Sequence, residues 1–71
     1  MTINFIPAEA TPGWRAYSAG RAARRDSMPR DWNPHWQASA EGKIGAYALC
    51  RAWFNGWDDG DAIQRTLDHS A

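Results

Sequence analysis

Seventy-one residues and 8.0 kDa leave room for one small domain and exclude two. Thirteen alanines, nine aromatics, six Ile or Leu and no valine argue against a sheet and for a small all-α fold, with five tryptophans supplying the apolar area to bury. Eight basic and eight acidic side chains cancel; the single cysteine, Cys50, excludes an intramolecular disulfide, and with only His35 and His69 to join it there is no ligand set for structural zinc.

Residues 1–10 place Ile3 and Phe5 in weak alternation before Pro7, a pattern that fits an extended arm. Thr11 and Pro12 then supply an N-cap hydroxyl and a proline at the first helical position, where a missing N–H costs nothing. The alanine-rich run that follows predicts a first helix within residues 11–27, ending near Asp26 because Pro29 pushes its predecessor out of the helical region. Residues 28–39 hold Pro29, Asn33-Pro34, Trp32 and Trp36 and read as an ordered connection with room for one helical turn after Asn33. Ser39 is the expected N-cap of a second helix over residues 40–57. Gly60 weakens its continuation, and the acidic segment 58–71 has room for a short third helix from Asp61 to Asp68, with Ile63 and Leu67 on one face.

The two longer helices carry complementary small faces. At 100° per residue Ala16, Ala19, Gly20 and Ala23 share one arc of the first, and Gly42, Gly45, Ala46 and Leu49 share one arc of the second. Small faces let backbones approach, so a two-helix hairpin, antiparallel or steeply crossed, is expected to pack through these positions, with Tyr17, Trp53 and Trp57 closing its ends.

Zero net charge hides a polarised chain. Trp14 to Arg30 contains five Arg and one Asp, a sum of +4, whereas Asp58 to Ala71 contains four Asp and one Arg, a sum of −3. On the wheel Arg24, Tyr17, Arg21, Trp14 and Arg25 fall within about 100° of arc, and Arg30 lies just past the helix. Guanidinium groups bind phosphates, and aromatic or guanidinium planes stack on unpaired bases, so this mixture suits single-stranded or looped RNA. The alternative is a solvated basic face whose aromatics turn inward.

The order of residues adds a second line of inference. Arg15-Ala16-Tyr17-Ser18-Ala19-Gly20-Arg21-Ala22-Ala23-Arg24, followed by Met28-Pro29, resembles the first half of the ribosome modulation factor family, in which a Tyr-x-Ala-Gly helix leads to a basic residue and a proline turn. Arg51-Ala52-Trp53-Phe54-Asn55-Gly56-Trp57 resembles that family's second signature, Trp-x-x-Gly-Trp. The resemblance implies a small two-helical protein that binds the small ribosomal subunit and promotes inactive ribosome dimers. It implies that Arg15, Tyr17, Arg21 and Arg24 lie on the basic helix, with Arg25 and Arg30 added from the charge pattern, and that Gly20, Pro29, Trp53, Gly56 and Trp57 are structural. The chain departs from the family in three places: residues 1–13 contain no Lys or Arg where the family has a basic tail, Met28 stands at the usual cysteine, and the connection is longer.

The remaining features point in other directions. Asp58-Asp59-Gly60-Asp61 lacks the ligand alternation of a calcium loop and reads as a turn and helix cap, so no metal or other cofactor is expected. Cys50 falls on the apolar side of the second helix, as a buried and inert thiol does. His69 sits near the frayed end, and His35 either stacks on a base or caps a turn. Trp32 and Trp36 either roof the small core or stay exposed as anchors for a protein partner, in which case Asp58 and Asp59 supply the acidic part of that interface. No run reaches 18 apolar residues and the N-terminus lacks a signal-peptide pattern, so the expectation is a cytoplasmic protein with no membrane or small-molecule partner. With no matched nucleophile and base, an enzyme is not expected. Two functions follow: an rRNA-binding modulator of translation acting on the small ribosomal subunit, or a protein-binding inhibitor of the kind small mobile-element proteins often are.

Overall fold

The computed structural model describes residues 11–70, so the arm foreseen for residues 1–10 lies outside the described residues. The described chain is all-α: α1 spans Pro12–Arg25, a single 3-10 turn spans Arg30–Trp32, α2 spans Trp36–Ala40 and α3 spans Ala46–Ser70. α1 begins as its residues dictate, with the Thr11 hydroxyl accepting the Trp14 N–H at 3.0 Å and Pro12 at the first helical position. It ends in a Schellman turn. The Ser27 N–H donates to Arg24 O at 3.0 Å and the Met28 N–H to Ala23 O at 2.9 Å, which places Ser27 in the left-handed region at φ 63°.

The helical turn expected after Asn33 is α2, and the 3-10 turn before it adds a second. Ser39 lies inside α2 rather than capping a helix, and its carbonyl accepts the Gly42 N–H at 3.0 Å in a second Schellman turn completed by Lys43 N–H to Ala38 O at 3.1 Å. Gly42 and Gly45 serve the turn geometry, at φ 74° and 79°, with open space around them. They are therefore not part of the packing face expected of them. Buried Asn33 ties this segment to α3: its amide donates to Cys50 O at 2.9 Å while its Oδ1 accepts the His35 N–H at 2.9 Å.

The larger correction concerns α3. The expected second helix over 40–57 and the short helix near 61–68 are one element of 25 residues that starts later, at Ala46, and runs unbroken through Gly56 and Gly60. Each glycine costs a helix interior about 1 kcal/mol relative to alanine. What offsets that cost is contact with α1. A Cβ at Gly56 would collide with the Tyr17 carbonyl oxygen and lie 2.8 Å from its carbon; one at Gly20 would collide with the Trp53 carbonyl and lie 2.9 Å from the Trp57 nitrogen. Glycines on both helices thus bring backbone against backbone, and the core assembles around them from Ala16, Tyr17, Ala23, Ala52 and Trp53, flanked by Trp14, Met28, Leu49, Phe54 and Trp57. Tyr17 and Trp53 fill the centre rather than closing the ends, and Ala19 faces outward. No helix is long and apolar enough to cross a membrane among the described residues.

Candidate nucleic-acid interface

The arginine-aromatic stripe of α1 is divided by its packing. On one side Tyr17 is 1% exposed, and its hydroxyl donates to Asp59 Oδ2 at 2.6 Å. Burial first, then the hydrogen bond to Asp59 and that residue's charge, push the Tyr17 hydroxyl up from 10.0 to about 12, with Arg21 opposing. Tyr17 is thus a core residue and is not available to stack on a base. Arg24 bonds Asp61 Oδ1 at 2.8 Å and lies 5.7 Å over the Trp57 ring. That hydrogen bond is the main cause that holds the Asp61 carboxyl below its ordinary range. Arg30 grips Asp58 through Nε at 2.8 Å and Nη2 at 3.1 Å and stacks 4.2 Å above Phe54. Three of the six candidate RNA-binding residues are therefore occupied within the fold.

The other side of the stripe stays open. Arg21 and Arg25 are exposed, and so is Arg15, which lies outside the stripe about 80° from Arg25 on the wheel. Among the described residues Arg15 and Arg21 join no ion pair, and Arg25 only approaches exposed Asp26 at 4.0 Å. Arg21, Arg25, Ser18 and Trp14 line a groove of about 440 Å³ against Ile63 and Leu67 of α3. Trp14 is half-buried, stacked on Tyr17 with ring centroids 6.0 Å apart, so its position is fixed from inside.

Of the residues named as a structural signature, Gly20, Trp53, Gly56 and Trp57 form one contact and Pro29 lies apart from it. Gly20 meets Trp53 and Trp57, and Gly56 meets Tyr17, so the Tyr-x-Ala-Gly and Trp-x-x-Gly-Trp elements are the two halves of the α1–α3 junction. Trp57 Nε1–H donates to Met28 O at 2.8 Å, and Pro29 N-caps the 3-10 turn, accepting the Trp32 N–H at 3.1 Å.

The acidic run is neither a turn nor a cap. Asp58, Asp59, Gly60 and Asp61 are consecutive residues of α3, and the three acids meet Arg30, Tyr17 and Arg24 in that order. Asp59 is buried, so it cannot form part of a surface for a partner, and Asp58 is engaged by Arg30. Trp32 and Trp36 do not roof the core: they are 64% and 60% exposed, with Trp36 edge-on to Phe54 at 6.2 Å. Cys50 is a buried free thiol.

Two residues on the Trp36 side are not singled out by the sequence pattern. Tyr47, 66% exposed, and Arg51, exposed and in no ion pair among the described residues, line a second groove of about 380 Å³ with Arg30, Trp36 and Phe54. Their signal is the spacing 47, 51, 54, 58, which forms one stripe of a helix once Ala46 is recognised as its start. No family model, curated protein or solved structure matches this chain.

Proposed function

We propose that the protein is a non-enzymatic, cytoplasmic, rRNA-binding modulator of translation that acts on the small ribosomal subunit, as its resemblance to the ribosome modulation factor family implies. The observation that carries this reading is the set of exposed arginines on α1, Arg15, Arg21 and Arg25, with Trp14 set between the last two at the mouth of a groove. Phosphates contact the guanidinium groups, and the half-buried indole supplies an apolar surface beside them. The resemblance lends support because its two signature elements meet in this fold at Gly20 and Gly56. Tyr17, Arg24 and Arg30 are reassigned from RNA contact to holding the fold together.

The test is cosedimentation with purified small subunits across a salt series. Binding by the intact chain should weaken as salt rises, and the Arg15→Ala, Arg21→Ala, Arg25→Ala triple variant should lower the salt slope by about 1 for each phosphate it no longer neutralises. Equal affinity and equal slope for variant and parent would refute the assignment. The rival reading, a protein-binding inhibitor, keeps its exposed tryptophans but is deprived of the acids assigned to it, since Asp58 is paired and Asp59 buried.

A further inference from the structure

The aromatic groove on the other side of α3 combines exposed aromatic side chains with polar ones. Three elements build it: Arg30 from the 3-10 turn, Trp36 from α2, and Tyr47, Arg51 and Phe54 from α3. Trp36, Tyr47 and Phe54 supply its aromatic surface, with Trp36 and Tyr47 mostly exposed and one face of Phe54 covered by Arg30, and Ser39 and Asn55 add polar groups to the lining. No Leu, Ile, Val or Met lines it. An amphipathic helix of a partner protein lays its apolar face along a hydrophobic groove through anchors at i, i+3, i+4 and i+7. A planar ring with hydrogen-bonding edges instead needs flat aromatic faces and polar groups at their margins, which is how unpaired bases are held.

Charge points the same way. Within the groove Arg30 and Asp58 neutralise each other through two hydrogen bonds, and that pairing fixes the Arg30 plane over Phe54 at 4.2 Å. Arg51 is left as the uncompensated charge of the lining, exposed and joined to no acid among the described residues. One positive charge beside exposed aromatic planes complements one nucleotide, with the base on the ring and the phosphate on the guanidinium.

We propose that this groove is a second nucleic-acid contact, separate from α1, which takes an unpaired base of single-stranded RNA on Trp36 or Tyr47 and its phosphate on Arg51. The proposal rests on the RNA-binding reading and adds to it a site that recognises unpaired rather than duplex RNA. Because stacking dominates and one phosphate is held, binding here depends weakly on salt, in contrast to the three-arginine flank of α1.

The experiment is fluorescence anisotropy of an end-labelled oligoadenylate titrated with the intact chain and with Trp36→Ala, Tyr47→Ala, Arg51→Ala and the α1 triple variant. Trp36 and Tyr47 are mostly exposed, so their variants should keep the parent far-UV circular dichroism. Loss of one stacked aromatic should weaken binding about five- to a hundredfold, with the salt slope unchanged, and Trp36→Phe should restore most of it. The α1 variant should bind more weakly and with less salt dependence, yet still respond to Trp36→Ala. Parent affinity in both Trp36→Ala and Tyr47→Ala would overturn the proposal. So would a Trp36→Ala variant that loses self-association or protein capture while its RNA affinity is intact. If subunit binding ignores the α1 substitutions while oligoadenylate binding still requires Trp36, the ribosomal reading fails and the groove stands.

Discussion

Tyr17 carries the sharpest consequence of any single side chain here. Its hydroxyl reaches across the core to Asp59 over 2.6 Å, from a position the sequence places within the arginine stripe. Tyr17→Phe removes a hydrogen bond to an acidic group and should cost about 2 kcal/mol at neutral pH, measurable by urea unfolding. The pH dependence follows from the direction of the shift. The folded state holds the Tyr17 proton more tightly, up to about 12 against 10.0 in the unfolded chain, so the stabilisation is complete below pH 10 and fades as pH climbs from 10 to about 12. Tyr17→Phe should therefore decline less steeply on the alkaline side than the parent. Parallel alkaline profiles would show that the hydroxyl is not the titrating group. Helical periodicity places Tyr17 within one stripe with Arg21 and Trp14, but only about 40° of wheel separates buried Tyr17 from exposed Arg21 on α1, and periodicity does not say where that line falls. The shape of α3 draws it between Tyr17 and Arg21.

Among the elements, α3 departs furthest from expectation, because glycine has two opposite meanings in a helix. By propensity Gly56 and Gly60 weaken it. By contact Gly56 lets the α1 backbone approach, and a Cβ there would meet the Tyr17 carbonyl. Gly56→Ala should gain about 1 kcal/mol of helix propensity yet lose on the order of 3 kcal/mol or more by forcing the helices apart, enough to unfold much of a domain this small. Gly60 is a graded contrast. Its added Cβ would lie 3.2 Å from Arg24 Cβ and 3.3 Å from Arg21 O, so a shift of a few tenths of an ångström accommodates it. Gly60→Ala should stay within about 1 kcal/mol of the parent. Thermal or urea unfolding ranks the two, and a Gly56→Ala protein as stable as Gly60→Ala would mean that the helices do not meet there. The start of α1 was legible because a cap is local: Thr11 and Pro12 are adjacent and need nothing else. The start of α3 was not, since Gly42 and Gly45 resemble packing residues until their φ of 74° and 79° shows them shaping a turn.

For the whole molecule, folding converts a polarised sequence into a partly neutralised surface. The acidic segment folds back onto the basic one: Asp61 takes Arg24 and Asp58 takes Arg30, while Arg15, Arg21, Arg25 and Arg51 keep their charges exposed. Replacing both acids, Asp58→Asn with Asp61→Asn, moves the net charge from +0 to +2 and frees three guanidiniums, those of Arg24, Arg30 and Arg65. RNA affinity of that variant should rise, with a salt slope steeper by up to about 3, as read in the same sedimentation and anisotropy assays. Unchanged affinity would mean that Arg24 and Arg30 stay committed to the fold even without their acids. The exposed tryptophans belong to this scale as well. The connection carries Trp32 and Trp36 past a core already filled by Tyr17, Trp53 and small alanines, which leaves them at the surface.

Composition and local pattern by themselves determined the helical class, the capped start of α1, the buried thiol and the place of Gly20 on the packing face of α1, because each depends on residues within one or two turns of each other. Which arginines face solvent, which acids they meet, and whether Gly60 ends a helix or deepens a contact were decided only when α1 came to rest on α3. Those outcomes depend on pairs up to 42 residues apart, such as Tyr17 with Asp59, and no periodicity within a single segment encodes the angle at which two segments meet.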